Sequence, residues 1–249
     1  MSVEETRARY IITIEVSQLE SPPTEEKEQA RSDIRKSIPS GGIVAKFAPP
    51  QTTTEEPPRA LTDERTVFTK MNTGSSLSRR RGNLLATGGA DYDQERNRMT
   101  ASVITAMGAG DRSEISRLGV DFRVEGNESR SAIVVATGEY EGLLTAVGSA
   151  ASELSLSLNI VDQSTNAKLS TEIVSESGSI KDWKKRQGDF REGVQTLLRP
   201  DVEYTAYVEL ESYVDCYGVG EASTDFGPQD NDRAEPPHGV ELESIEIVV

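Results

Sequence analysis

LLRPDVEYTAYVELESYVDCY, residues 197–217, is the stretch whose reading decides the fold class. Tyr204, Ala206, Val208 and Leu210 alternate with Thr205, Tyr207, Glu209 and Glu211. A period of two is the signature of a strand with one face on a core and the other toward water. The proline turn at Pro200-Asp201 feeds the chain into it. Such alternation belongs to an antiparallel sheet, because strands of parallel sheets are buried on both faces and read as continuous apolar runs.

Leu198, Pro200 and Tyr204 resemble the entry to a late strand in fibronectin-III-like and other immunoglobulin-like sandwiches. The resemblance covers about a dozen residues and implies a tyrosine corner, in which the tyrosine hydroxyl ties the crossing loop to the sheet. It implies an architecture and no activity.

Working outward, the same period recurs. Leu118, Val120, Phe122 and Val124 alternate, and the turn Gly126-Asn127-Glu128 leads to 131–137, which reads as the second arm of a hairpin. Leu154, Leu156, Leu158 and Ile160 share one face of 152–162, and Leu169, Thr171 and Ile173 follow in a further strand. In the last strand, 240–249, Val240 and Leu242 keep one parity while Ile245, Ile247 and Val249 keep the other. That change of phase predicts a bulge. The expected fold is mainly β: an antiparallel sandwich or jelly roll with one or two short helices and a long irregular N-terminal arm.

The expected organisation has three parts. Residues 1–48 read as a small strand–helix–strand segment: a strand over 7–19, a helix over about 24–37 capped by Thr24, and a strand over 43–48. Residues 49–91 read as an extended linker or arm, rich in Pro, Thr, Glu and Gly, with a short strand at 65–70. Residues 92–249 form the sandwich domain. At its start, Met99, Val103 and Met107 fall four apart and predict a helix closed by Gly108 and Gly110, with a strand as the rival reading because Val103-Ile104-Thr105 is β-prone.

Composition limits the chemistry. The chain has 249 residues, 35% apolar, with a net charge of −15. Eight lysines stand against 19 arginines. Many carboxylates, few lysines and small apolar residues resemble the proteins of salt-in halophiles: at molar salt the Debye length is about 3 Å, so carboxylate repulsion is screened while the acids stay hydrated. The net field repels nucleic acid and anionic membrane. No apolar run is long enough for a transmembrane helix, and the first residues lack the signature of a signal peptide. A virion or the cytoplasm of a halophilic host is the expected location. With one cysteine, Cys216, and one histidine, His238, intrachain disulfides and Cys/His zinc sites are excluded by count. No nucleotide-binding or hydrolase motif occurs, and no cofactor is expected.

The sharpest local anomaly is basic and aromatic. Lys181, Trp183, Lys184, Lys185, Arg186 and Phe190 cluster in what reads as a loop, and hold the only tryptophan. On an acidic chain this patch is a candidate partner-binding site. Arg79, Arg80 and Arg81, in a Gly/Ser-rich segment, are a second candidate, able to grip carboxylates. Asp225, Asp230, Asp232 and Glu235 are oxygen-rich but lack EF-hand spacing, so solvated acid is preferred over a cation site. Asn127-Glu128-Ser129 is a glycosylation sequon.

These features favour a non-enzymatic structural or assembly protein: a capsid, decoration or tail component of a virus infecting a halophile, with other copies of itself or other particle proteins as partners. The alternatives are a cellular carbohydrate-type binding sandwich centred on Trp183, and a hydrolase working with carboxylates alone.

Overall fold

The computed structural model describes residues 51–52, 59–61, 64–178, 184–227 and 239–249, with only the backbone at 51–52 and 184. All of them belong to one compact unit, residues 47–249. The elements expected over 7–19, 24–37 and 43–48 lie outside the described residues.

The strands are β1 (Gln51–Thr52), β2 (Arg59–Leu61), β3 (Arg65–Phe68), β4 (Thr73–Gly82), β5 (Leu85–Asp93), β6 (Arg98–Val124), β7 (Arg130–Asp162), β8 (Ala167–Gly178), β9 (Lys184–Leu198), β10 (Glu203–Phe226) and β11 (Gly239–Val248). Among the described residues there is no helix. Among the described residues every pairing is antiparallel except the short β2 on β6. The mainly β, antiparallel sandwich class read from residues 197–217 is the observed one.

Three strands organise it. β6, β10 and β7 run side by side in the order β6–β10–β7, over 27, 24 and 33 residues. At about 3.3 Å per residue the longest would reach on the order of 110 Å, whereas a compact chain of about 200 residues has a radius of gyration of about 17 Å. The strands therefore bend, and all three do so at one level. Gly108 and Gly110 of β6, Gly148 of β7 and Gly218 of β10 have positive φ there, and the β10 register breaks at the same place, between Cys216 and Gly220 against β7 and between Val219 and Ala222 against β6. The sandwich is one three-stranded ribbon folded across a line of glycines.

The first layer is β4, β6 from 110 on, β10 to 216, β7 from 150 on, and β8. The second is β5, the early part of β6, the late part of β10, β7 to about 147, β9, β11 and β3. Alternating side chains meet between them. Leu118, Val120, Phe122, Leu154, Leu156, Leu158, Ala206 and Val208 of the first layer share a buried core with Met99, Val134, Ala136, Phe226, Leu242, Ile245 and Ile247 of the second. Each such leucine removed from water contributes about 1.5–3 kcal/mol. Near the bend, Val214 and Cys216 pack on Val103, Ala146 and Ala222. Polar ties cross the layers too: the Ser212 hydroxyl donates to the Ala101 carbonyl, at 2.9 Å and buried.

Four expectations are corrected. Residues 98–107 are strand, because a four-residue spacing satisfies a period of two as well as a helix; Met99, Ala101 and Val103 are buried while Met107 is exposed. Residues 73–82 and 85–93, expected to be irregular, pair with β6. Residues 115–124 and 131–137 do not form a hairpin: β10 takes one edge of β6 and β4, then β2, the other, and the turn carrying Asn127 passes to the other layer, where β7 pairs with β11 and β9. The Lys184–Phe190 stretch is strand, not loop, and pairs with β7. The bulge expected in the last strand is present, between Leu242 and Ser244, and keeps Val240, Leu242, Ile245 and Ile247 all buried.

The tyrosine corner is formed. The Arg199 backbone N–H donates to the Tyr204 hydroxyl at 2.8 Å, and the Tyr204 ring stacks on Phe122 at 5.6 Å. The Arg199 side chain donates to Asp162 at the end of β7. Burial alone would raise the Asp162 pKa, but the Ser164 hydroxyl, Arg199 and the Thr165 and Ser164 amides outweigh it and hold it at about 2. A carboxylate with a depressed folded pKa stabilises above its unfolded value near 4, and that contribution is lost as pH falls toward 2. Discounted for solvent screening at this surface corner, it is about 1 kcal/mol. The Asp162→Asn variant is expected to be less stable by that amount in urea at pH 7, and the gap from the parent should close by pH 2. A gap that stays constant with pH would disprove the linkage.

Candidate interaction surface

The bend exposes apolar side chains. Leu85, Met107 and Val219 stand in register on β5, β6 and β10. They are 61%, 43% and 70% exposed. Val147 on β7, opposite Glu221 of β10, extends the row and is 42% exposed. A strand that folds over at glycines turns its backbone outward for one or two residues, and the apolar residue beside each glycine then lacks a facing layer. Met107-Gly108, Val147-Gly148 and Gly218-Val219-Gly220 are the sequence trace of this. In the sequence those glycines read as ends of elements rather than bends.

Charged residues stand on neighbouring positions. At the β5 end, Arg79, Arg80 and Arg81 are exposed on β4. From Ser75 to Gly82 this strand has no neighbour on its outer edge among the described residues. Arginines on an open edge oppose casual strand addition. Arg80 donates to the Leu84 carbonyl. Arg81 faces Asp111 across the β4–β6 ladder. Burial raises the Asp111 pKa, with Arg81 opposing. Glu221, on β10 two residues from Val219 and opposite Val147, is exposed and makes no ion pair among the described residues. Cys216, just inside the bend, is buried, and burial followed by the Asp215 charge pushes its thiol up.

The other basic patch is largely satisfied internally. Lys181 and Trp183 lie outside the described residues, and of Lys184 only the backbone is described, opposite Leu144. Lys185 pairs with Glu141 at 2.8 Å, and Arg186 with Glu176 at 3.4 Å. Phe190 is 6% exposed and packs in the core over Gly138, so it presents no surface to a partner. The structure leaves Arg79–Arg81 exposed on β4, turns Arg186 toward Glu176 and the Ser177 carbonyl of β8 in the first layer, and puts Lys185 on the outer face of the second layer.

There a groove of about 430 Å³ is lined by Arg98, Glu139, Glu141, Gln187, Asp189 and Glu241, with Lys185 at its side. Glu139 and Asp189 are direct cross-strand neighbours. The aromatic residue at the groove, Tyr140, has its ring against Gly188, where an added Cβ would sit 3.1 Å from Cε1. Such a lining does not single out a ligand. Of the acids near 225–235, Asp225 accepts the Gly227 N–H at 3.1 Å and the rest lie outside the described residues. Among the described residues no cluster of acids, histidine or cysteine is arranged to hold a metal ion, and no helix is long and apolar enough to cross a membrane.

No family model matches the chain, and no curated protein is similar to it. Among solved structures it is similar to the enzymatically active domain of bacteriophage CBA120 tailspike protein 4, at 9% identity and a TM-score of 0.24, covering 68% of this chain and 19% of that one. It is similar to the CBM22-1 xylan-binding domain of Paenibacillus barcinonensis Xyn10C, at 15% identity and a TM-score of 0.25, covering 67% and 85%. It is similar to Eiger TNF from S. frugiperda, at 6% identity and a TM-score of 0.23, covering 66% and 99%. The chain thus spans under a fifth of the tailspike domain's length. Likenesses this distant carry no argument about function, and the fold rests on the strands and their registers.

Proposed function

We propose that the protein is a non-enzymatic structural subunit, assembled through surface contacts into a larger particle. Its partners on this reading are other copies of itself and other structural proteins of the same particle, not nucleic acid. One observation carries it: the row Leu85, Met107, Val219 and Val147 lies open on a chain that carries −15 and is only 35% apolar. Contiguous apolar surface on a monomer marks a place that another surface covers. The acidic charge supports a high-salt setting, because at low salt copies of such a chain repel one another. A virion of a virus infecting a halophile is the setting that this combination fits.

The test is the mass in solution by light scattering, at about 3 M salt and at about 0.2 M salt, the latter near physiological screening. The expected result is an oligomer at high salt that dissociates at low salt, and a Val219→Asp variant that stays monomeric at both while remaining folded by circular dichroism. A folded monomer of the parent chain at both salts, at millimolar protein, sinks the reading.

A further inference from the structure

The outer face of the first layer gathers an amine, an amide and a carboxylate. On β8 Lys168 stands opposite Val161 of β7, and Asn159 of β7 stands opposite Ser170 of β8. Lys168 and Asn159 are thus diagonal neighbours on one face of adjacent strands, with Cβ atoms about 7–8 Å apart, within reach of a long side chain. Glu209 of β10 lies further along, opposite Ser157, yet Lys168 Nζ comes to 3.8 Å from its Oε1. Reaching from the level of Val161 toward that of Ser157 carries the lysine across the level of Asn159 between them. Asn159 is 0% exposed. Its Nδ2 donates to the Ser157 carbonyl and hydroxyl, at 3.2 and 3.0 Å, while its buried Oδ1 accepts no hydrogen bond among the described residues. Such an orphan is rare in a folded chain. Tyr207, wholly buried and directly across from Asn159, excludes water from that side. Arg117 holds the other oxygen of Glu209, Oε2, which leaves Oε1 to the lysine. Burial lowers the Lys168 pKa, with Glu209 opposing and Arg117 and Arg79 adding to the decrease, so its neutral, nucleophilic form is easier to reach than in water.

We propose that Lys168 and Asn159 condense after folding into an intramolecular amide bond, with Glu209 relaying the protons. Glu209 Oε1 takes a proton from the ammonium, and the freed Nζ lone pair attacks Asn159 Cγ. The carbonyl re-forms as the Cγ–Nδ2 bond breaks. Of the three ammonium protons, one stays on the new amide nitrogen and two leave with Nδ2 as ammonium. Charge is conserved, nothing is oxidised or reduced, and no co-reactant is needed. The fold supplies the orientation that an intermolecular reaction of the same groups lacks. The bond ties β8 to β7 across their turn, and β8 is an edge of the first layer with no second neighbour among the described residues. It is a modification of the single chain and stands apart from the assembly reading.

The test is the intact mass of the full chain, kept folded at mildly alkaline pH and then digested for peptide mapping. The expected result is a mass one ammonia below that of the sequence, and a branched peptide joining Lys168 to Asn159. Lys168→Met and Asn159→Ala are each expected at their full sequence mass, with no branched peptide. Circular dichroism confirms folding. Lys168→Met, at a side chain 29% exposed, carries the comparison if Asn159→Ala does not fold. A parent chain whose mass equals its sequence after prolonged incubation in the folded state overturns the proposal. So does an ammonia deficit that persists in Lys168→Met or maps to any other residue.

Discussion

The Gly110→Ala variant is expected to lose about 2–5 kcal/mol of stability, close to unfolding for a domain whose total is about 5–15 kcal/mol. Two costs combine. Gly110 has φ +141°, a conformation that residues with a Cβ rarely adopt. A Cβ built there would also sit 2.1 Å from the Arg81 carbonyl oxygen, on the neighbouring strand of the same ladder. Backbone cannot yield as a flexible side chain can, so either β4 separates from β6 or the bend opens. The bend puts Val214 and Cys216 over Val103 and Ala222, so opening it also exposes the smaller core. Gly108 makes the same point with φ +114° and 2.6 Å to the Asn83 carbonyl. The control is Gly89→Ala, where nothing lies within 4 Å of the added atom and the change is expected within about 0.5 kcal/mol. Urea midpoints read both. Equal, small losses at Gly110 and Gly89 would show that the glycine line does not determine the fold.

The contrast also explains what was legible in the sequence. Alternation over 118–124, 154–160 and 204–210 specified the strands of the first layer, and these are the residues that form its core face. The phase change at Leu242–Ile245 specified the bulge. Both are periodic signals set by contacts that repeat every two residues. The bends were not legible, because a glycine that ends a strand and one that folds it over look the same locally; only the ladder across the break, as at Val219–Ala222, distinguishes them. Residues 98–107 failed for a related reason: Met99, Val103 and Met107 satisfy both periods, and long-range pairing with β5 and β10 decides between them. Of the candidate site, Arg79–Arg81 stood out as a charge run, whereas the apolar row did not, since its members come from four strands and meet only after folding.

A second large effect is expected on the outer face of the first layer. The Arg117→Ala variant should lose about 3–5 kcal/mol, because it leaves a partner charge largely desolvated. Arg117 Nε donates to Glu209 Oε2, and these side chains are 7% and 15% exposed. Lys168 Nζ lies 3.8 Å from Glu209 Oε1, and burial lowers the Lys168 pKa, with Glu209 opposing and Arg117 and Arg79 adding to the decrease. Both cations sit over Tyr207, 5.9 and 5.8 Å from the ring centroid. With Arg117 gone, Lys168 alone faces Glu209, at longer range. Salt separates this network from ordinary surface pairs. An exposed pair such as Arg123–Asp201, with 45% and 72% exposure, is screened, and Arg123→Ala should cost under about 1 kcal/mol in dilute buffer and nothing measurable near 3 M salt. The Arg117→Ala loss should persist at 3 M salt, since screening ions do not enter a desolvated site. Urea unfolding of both variants at the two salts decides it. If the Arg117→Ala loss collapsed to that of Arg123→Ala at high salt, the network would be surface electrostatics. If it persists, the acidic surface is the part of the chain that responds to salt, and this desolvated cluster is part of what keeps the fold when the salt is removed.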